Sequence, residues 1–223
     1  MSARDAILAR VRRSLGVDGT EPDRRATAEA RMHDAPIGLI PARGQLDPAG
    51  QRALFRAMAE KVSSSVVAVA SGADVPAAIA DYLRSKNLPP SFRRGDDPRL
   101  AAMPWDSQPN LEISTGISDG HDLVSVSHAV GAIAETGTLA LQSGGDNPTT
   151  LNFLPDHHIV VVDAGAIVGD YETFWAGMRQ RFGKGVMPRT VNFVTGPSRS
   201  GDIEQTILLG AHGPRALHII MVG

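Results

Sequence analysis

The chain has 223 residues, 42% of them hydrophobic and 21% charged, and it contains no cysteine. A chain of this length can bury a core without a disulfide or a metal. Without thiols these residues cannot supply a disulfide framework, a cysteine nucleophile or a cysteine-ligated iron–sulfur cluster. A formal net charge of −2 is too balanced to indicate nucleic acid or a charged membrane as partner.

The apolar stretches bear on where the protein works. The N-terminus has no apolar run typical of a signal peptide. The longest apolar stretches are far shorter than the roughly 20 residues that a membrane span needs. We therefore expect no membrane span and a cytoplasmic location.

Residues 1–46 are predicted to form an N-terminal helix and linker arm. Ser2 and Asp5 resemble a capping box, apolar residues follow at helical spacing, and Gly16 is a plausible C-terminal stop. From Val17 to Arg43 the periodicity is lost among Asp, Glu, Arg, Pro and Ala, a composition typical of a linker or a loosely docked arm.

Residues 47–223 are predicted to form one α/β domain. Helices are predicted to begin after the capping residues Asp47 and Asp74, and a third to span 171–182. Strands are predicted at the apolar runs 65–70, 123–127, 138–141, 158–162, 191–194 and 217–222. We expect 65–70 and 158–162 to be buried strands, and the Pro-rich stretch 88–110 to be mostly loop pinned by Trp105. Strands separated by helices predict a mostly parallel sheet flanked by helices.

The first loop with candidate functional residues precedes the strand predicted at 138–141. It contains Glu135, Thr136, Gly137 and Thr138. The Glu135 carboxylate could act as a nucleophile or general base, beside hydroxyls and backbone N–H groups that bind an anion. The same residues also fit an ordinary turn, in which Glu135 is solvated and Gly137 adopts a positive φ.

The second loop runs from Thr195 to Glu204. Its candidate ligand-binding residues are Gly196, Ser198, Arg199, Asp202 and Glu204, and the candidate proton carrier His212 follows. The hydroxyl, the guanidinium and backbone amides could hold a phosphate or a carboxylate. Asp202 and Glu204 share a face only if the chain is extended there, and both a helix and an extended strand remain open. Alternatively, Arg199 only neutralises one of these carboxylates as a structural ion pair.

A metal site is a further hypothesis, since neutral imidazole is a common metal ligand. The side chains that could converge are His121, His128, His157, His158, His212 and Glu135. The chain has no His-Glu-x-x-His or His-x-His pattern, however, and His157 and His158 face opposite sides if they lie in a strand. We therefore predict no metal site, and expect His218 to be a core or edge histidine.

Four segments taken together resemble the LUD-domain family, and in particular its lactate-utilisation protein C branch. They are Ala132–Thr138, His158–Ile159, Thr195–Glu204 and Gly210–Pro214. The resemblance implies a fold similar to sugar-phosphate isomerases, glucosamine-phosphate deaminases and CoA-transferases. It also implies an accessory role in oxidising L-lactate to pyruvate, with no cofactor in this chain and iron–sulfur clusters in two partner proteins.

The resemblance leaves two functions open. As an accessory non-redox component, the chain would bind a small anionic ligand through the second loop or brace an interface there. In CoA-transferase relatives a loop glutamate forms the acyl-enzyme, and Glu135 is the candidate counterpart, although its context is Glu-Thr-Gly rather than Glu-Asn-Gly. The chain would then be a stand-alone CoA-transferase-like or sugar-phosphate-type enzyme. Both hypotheses place Glu135 and Arg199 around one polar crevice at the edge of the sheet.

Overall fold

A computed structural model describes residues 2–34, 36–203 and 206–223, with the backbone alone at 201–203 and 206–209. The chain divides into two compact units, with the boundary between Leu39 and Ile40. In the part of the chain that the structure describes, none of the helices combines the length and the apolar character needed to cross a membrane.

The N-terminal unit contains two helices, α1 (Ala3–Leu15) and α2 (Pro22–Asp34). The predicted ends of α1 are confirmed. The Ser2 hydroxyl accepts a hydrogen bond from the Asp5 N–H, the Asp5 carboxylate accepts one from the Ser2 N–H, and Gly16 ends the helix at a φ of 65°. The helix α2 lies within the predicted linker. It was missed because Ala, Arg and Glu favour a helix without any apolar stripe, and no described residue of α1 or α2 is buried.

The second unit alternates helices and strands. Its helices are α3 (Pro48–Lys61), α4 (Val75–Ser85), α5 (Pro98–Ala101), α6 (Thr149–Phe153) and α7 (Tyr171–Phe182). Its strands are β1 (Ser65–Val69), β2 (Ser91–Arg94), β3 (Glu112–Thr115), β4 (Val124–His128), β5 (Gly131–Ile133), β6 (Thr138–Gln142), β7 (His157–Asp163), β8 (Ile167–Val168), β9 (Val191–Val194), β10 (Arg199–Ile203), β11 (Thr206–Leu209) and β12 (Ala216–Val222).

A six-stranded sheet forms the centre of this unit. Its order is β1-β12-β7-β4-β2-β3, and every neighbouring pair is parallel. In β7, Ile159 and Val161 pack into the core beside α4, whereas Val160 and Val162 pack into the core beside α3. A strand buried on both faces is expected in a parallel sheet with helices on either side. The predicted α/β fold is therefore confirmed.

Strand β1 lies at an edge of this sheet, so the prediction of a buried strand at 65–70 was wrong. Val66 and Val67 are half-buried, whereas Ser65 and Ala68 are exposed. The sequence pattern misled because β-branched residues favour any half-buried strand, at an edge as well as in the centre.

A second sheet, which was not predicted, packs against the first through α3. Its order is β8-β5-β6-β9, and two of its three strand pairs are antiparallel. Phe55 of α3 and Leu139 of β6 share a core with Val160 of β7, and α7 covers the other face with Phe174 and Met178. The strands β5 and β8 contain three and two residues, too few for a periodic pattern to be recognised. The stretch expected to be loop contains β2 and α5.

The segment left open between helix and extended strand is extended. Strands β10 and β11 pair as an antiparallel hairpin, with Arg199 opposite Leu209. Asp202 lies in β10, but its side chain is outside what the structure describes, and Glu204 lies outside the described residues. Their contribution to a site stays a prediction.

Candidate functional site

A cavity of about 280 Å³ lies at the amino ends of β7 and β12. Four predicted site residues line it: Gly196, Ser198, Arg199 and His212. The rest of the wall consists of Asn152, Phe153, His158, Phe193, Val194, Thr195, Pro197, Gly213, Pro214 and Leu217. At about 30 Å³ per water molecule the cavity would hold about nine waters, which is enough for a small metabolite.

Backbone contacts hold the two loop segments of this wall together. The Ser198 N–H donates to the Pro214 carbonyl at 2.8 Å, and the Gly210 N–H donates to the Ser198 carbonyl at 3.0 Å. Gly196 has a φ of 79°, and a Cβ there would lie 2.5 Å from the Val62 carbonyl oxygen. Glycine therefore allows the wall to pack directly on the end of α3.

The guanidinium of Arg199 lies at the C-terminal end of α3. One of its Nη atoms donates to the Val62 carbonyl and, at 2.9 Å, to the Ser63 hydroxyl. A cation at this position compensates carbonyls that the helix leaves unpaired. The Nε and the other Nη have no hydrogen-bond partner among the described residues. Arg199 therefore caps α3, and the alternative ion pair with Asp202 or Glu204 stays a prediction, because both carboxylates lie outside the described side chains.

A chain of hydroxyl groups links the first loop to this cavity. The Thr138 Oγ1 lies 2.7 Å from the Oγ1 of Thr136 and 2.7 Å from the Oγ1 of Thr195, and it accepts a hydrogen bond from the Tyr171 hydroxyl at 3.1 Å. Of these residues, Thr195 lines the cavity. Thr136 and Thr138 therefore lie behind the cavity wall, and their hydrogen bonds fix the position of the Thr195 hydroxyl, which forms part of that wall.

The structure separates Glu135 from the cavity, which corrects the expectation of one shared crevice. Its side chain is only 5% exposed. One carboxylate oxygen accepts a hydrogen bond from the Tyr171 N–H at 3.4 Å, and the other lies 4.0 Å from the Nε of Arg43. Glu135 is thus neither solvated, as the turn hypothesis expected, nor part of the cavity wall.

Gly137 has the positive φ that the turn hypothesis predicted, 68°. A Cβ there would lie 2.6 Å from the Met58 carbonyl carbon and 2.8 Å from the Ala59 Cα, both in the backbone of α3. The glycine is required for packing, and ligand contact by Gly137 stays a prediction.

Sequence reasoning missed a buried polar group at one end of the cavity. The Ser127 hydroxyl donates to the Oδ1 of Asn152 at 3.2 Å and lies 3.0 Å from the Nε2 of His158. All three side chains are at most 1% exposed, and burial lowers the pKa of His158 to about 3, so its imidazole is neutral. The available signal was the alternation of two serines, Ser125 and Ser127, with valines in a strand predicted to be part of the sheet.

The histidines do not converge among the described residues. His157 and His158 point to opposite faces of β7, as predicted, and the Nδ1 of His157 lies 2.8 Å from the Tyr82 hydroxyl. His218 is a core histidine, as predicted, because its ring stacks on Tyr82 and its Nδ1 lies 2.7 Å from the Ser65 hydroxyl. Over the described residues no three His, Asp or Glu side chains are grouped as a metal site would require.

A second cavity, of about 380 Å³, lies at the carboxyl ends of β4 and β7 and is lined in part by Arg99, His128 and Asp163. Arg99 donates to both carboxylate oxygens of Asp97 and to the Ala129 carbonyl. Burial and the positive charge of Arg99 lower the pKa of His128. Because the Arg99 donors are used within the protein, this cavity is less suited to an anion than the first one.

Several curated relatives match part of the chain. Lactate utilization protein C of Geobacillus thermodenitrificans is 37% identical over 91 residues, which are 40% of this chain and 38% of that protein. Lactate utilization protein C of Bacillus subtilis is 36% identical over a stretch with the same coverage. The match therefore spans about two fifths of the length of these curated relatives.

A solved structure and a family profile cover more of the chain. The crystal structure of a DUF162 family protein from Deinococcus radiodurans has a TM-score of 0.55 at 24% identity, and it covers 80% of this chain and 99% of that one. This likeness supports the fold alone. The profile of the LUD domain matches residues 52–222. With most of its length matched, and with the four segments that resemble the family in place, the chain belongs to the LUD domain family.

Proposed function

We propose that this chain is an accessory, non-redox component of an L-lactate utilisation system and binds a small anionic ligand in the 280 Å³ cavity. The name of its relatives, lactate utilization protein C, supports the process. The cavity, with its guanidinium, hydroxyl and imidazole side chains, carries the proposal of anion binding. Iron–sulfur proteins of the same system are the proposed partners, and the cytoplasm is the proposed location.

The wall of the cavity supports an anion rather than a neutral apolar ligand. Arg199 contributes a permanent positive charge, since a guanidinium does not lose its proton in proteins. Ser198 and Thr195 bring hydroxyls into the wall, and His212 lies at its exposed rim. A carboxylate that enters would meet charge-assisted hydrogen bonds, which are about twice as strong as neutral ones.

The composition supports a chain that holds no cysteine-ligated iron–sulfur cluster of its own. The 223 residues contain no cysteine, and cysteine thiolates are the ligands that hold iron–sulfur clusters. Electrons removed from lactate would therefore pass through partner proteins, as the resemblance to the lactate-utilisation branch implies.

Deletion of the gene tests the proposed process. We expect the deletion strain to lose growth on L-lactate but to grow normally on another carbon source, and the wild-type gene to restore growth. Two plasmid-borne variants test the cavity in the same strain. We expect Arg199→Met to fail to restore growth on L-lactate and Arg93→Met to restore it, because Arg93 pairs with Asp122 and does not line the cavity. Unimpaired growth of the deletion strain, with no second copy of the gene present, would contradict the proposal.

The alternative, a stand-alone CoA-transferase-like or sugar-phosphate-type enzyme using Glu135, has less geometric support. The carboxylate faces Arg43 and the Tyr171 N–H rather than the cavity. Turnover of a CoA ester or a phosphosugar by the purified wild-type chain, lost in Glu135→Gln, would favour this alternative over the accessory role.

A further inference from the structure

The carboxyl ends of three adjacent strands meet at the second cavity, at the opposite end of β7 from the proposed anion site. His128 ends β4, and Asp163 and Val222, which are partners in the sheet, end β7 and β12. All three residues line this cavity of about 380 Å³. Ligands of open α/β sheets bind outside the carboxyl ends of the strands. The cavity therefore lies where a fold of this kind binds small molecules.

His128 presents a hydrogen-bond acceptor at this cavity. Its side chain is only 3% exposed, and its Nδ1 lies 2.9 Å from the carbonyl oxygen of Ala129. A carbonyl oxygen can only accept a hydrogen bond, so the Nδ1 carries the proton of the neutral ring. Burial and the positive charge of Arg99 lower the pKa of His128, so the ring is neutral at neutral pH. The Nε2 is therefore an unprotonated acceptor.

The Nε2 of His128 can be reached from the cavity. It makes no hydrogen bond among the described residues, since the nearest oxygen of Asp163 is 3.7 Å away. Some unpaired polar atoms of the protein have less than 1 Å² of accessible surface, among them the Nδ1 of His158. The Nε2 of His128 is not one of them, so it retains surface that a ligand can touch. The Asp163 side chain beside it is 56% exposed.

The Nε2 of His128 and the Oδ1 of Asp163 form a pair of acceptors that needs a donor between them. Because the two atoms are 3.7 Å apart, a single nitrogen with two N–H groups reaches both at about 2.9 Å. Charge favours a cation as this donor. Arg99 is neutralised by a bidentate pair with the buried carboxylate of Asp97, which leaves Asp163 as the one unpaired charge among the residues that line the cavity.

We infer that this cavity binds the ammonium group of a small primary amine, which donates hydrogen bonds to the Nε2 of His128 and to the carboxylate of Asp163. Met103, Pro104 and Val222 contribute apolar surface beside the pair, which suits an aliphatic ligand body. The inference is independent of the proposed function, because this site takes a cation and shares no lining residue with the anion cavity. A metal ion fits less well, since the described residues group no three His, Asp or Glu side chains.

Three probes of equal size separate the contributions of charge and of N–H donors. n-Butylammonium has both, tetramethylammonium has the charge without an N–H, and n-butanol has one donor without the charge. The full chain is labelled with ¹⁵N-histidine, and the Nε2 resonance of His128 is assigned by its absence in His128→Gln. We expect n-butylammonium chloride to shift this resonance, with an affinity at least about tenfold higher than that of either other probe. No shift with n-butylammonium, or equal affinities for the three probes, would overturn the inference.

Two aspartate variants show whether the carboxylate in the cavity binds the amine. Asp163 and Asp156 flank β7 at its two ends, and their side chains are 56% and 45% exposed. Asp156 pairs with Arg215 and does not line the cavity. We expect Asp163→Asn to weaken the binding of n-butylammonium at least about fivefold, and Asp156→Asn to change it less than about twofold. Wild-type affinity in Asp163→Asn would overturn the inference, whereas the spectra of the wild-type chain test it whether or not the variants fold.

Discussion

Replacing Gly137 by alanine tests whether the glycine of the first loop is required for packing. The residue adopts a φ of 68°, and a Cβ would lie 2.6 Å from the Met58 carbonyl carbon and 2.8 Å from the Ala59 Cα. The left-handed conformation costs an alanine about 1–2 kcal/mol. Crowding against a helix backbone that cannot rotate away adds about 1–3 kcal/mol. We therefore expect Gly137→Ala to lower the free energy of unfolding by about 2–5 kcal/mol.

Urea unfolding followed by circular dichroism measures this loss, and Gly177→Ala is the matched control. Gly177 lies within α7, and a Cβ there would meet no atom within 4 Å. We expect the control to gain about 0.5–1 kcal/mol, because alanine is the better helix residue. A free energy of unfolding for Gly137→Ala within about 0.5 kcal/mol of the wild type, which is the usual range for surface substitutions, would refute the packing argument.

Three further predictions concern protonation and the two loops. Burial lowers the pKa of His158 to about 3 and of His218 to about 4. The unfolded chain binds these protons near pH 6.5 and the folded chain does not. Acidification from pH 6.5 to 5 should therefore destabilise the protein by about 3 kcal/mol for both histidines together; urea unfolding that is equal at the two pH values would contradict this. Arg199→Met should weaken L-lactate binding, measured by calorimetry, at least about tenfold, since a charge-assisted hydrogen bond is lost. It should lower the free energy of unfolding in urea by less than about 1 kcal/mol, because the side chain is exposed. Unchanged affinity would contradict the placement of the anion. Glu135→Gln should keep the affinity for L-lactate within about twofold, since Glu135 does not line the cavity and changes outside a site have small effects; a larger loss in the same titration would indicate that Glu135 contacts the ligand.

Much of the second unit could be predicted because the central strands of its large sheet bury both faces. Runs such as 158–162 are apolar throughout and are bounded by turn residues, so their burial follows from composition alone. The helix start at Asp47 follows from a carboxylate that accepts a backbone hydrogen bond in the first turn, whereas Asp74 precedes its helix without such a bond. These signals come from residues that are neighbours in the chain, so they can be recognised from the sequence alone.

The parts that were missed depend on contacts between distant residues. In the second sheet, β6 and β9 were predicted as strands, whereas β5 and β8 have only three and two residues and pair with distant partners. In the same way, Glu135 and Arg199 lie in adjacent glycine-containing loops, yet one side chain faces Arg43 and the other the end of α3. The spacing of Glu135 and Arg199 along the chain does not determine the direction in which either side chain points.

The polar group at the end of the cavity shows the same limit. Ser127 and Asn152 are separated by 25 positions and His158 by 31 from Ser127, and no motif joins them. Gly196, Ser198, Arg199 and His212 could be predicted to lie together because two short segments contain them. The buried end of the cavity becomes visible only when α6 is placed beside β4 and β7.

A crystal structure of the chain with L-lactate is the most direct test of the central idea, that the cavity at the amino ends of β7 and β12 is the ligand site. The expected result is one lactate in that cavity, with its carboxylate within reach of Arg199. Lactate bound instead between Arg99, His128 and Asp163, or beside Glu135, would contradict it.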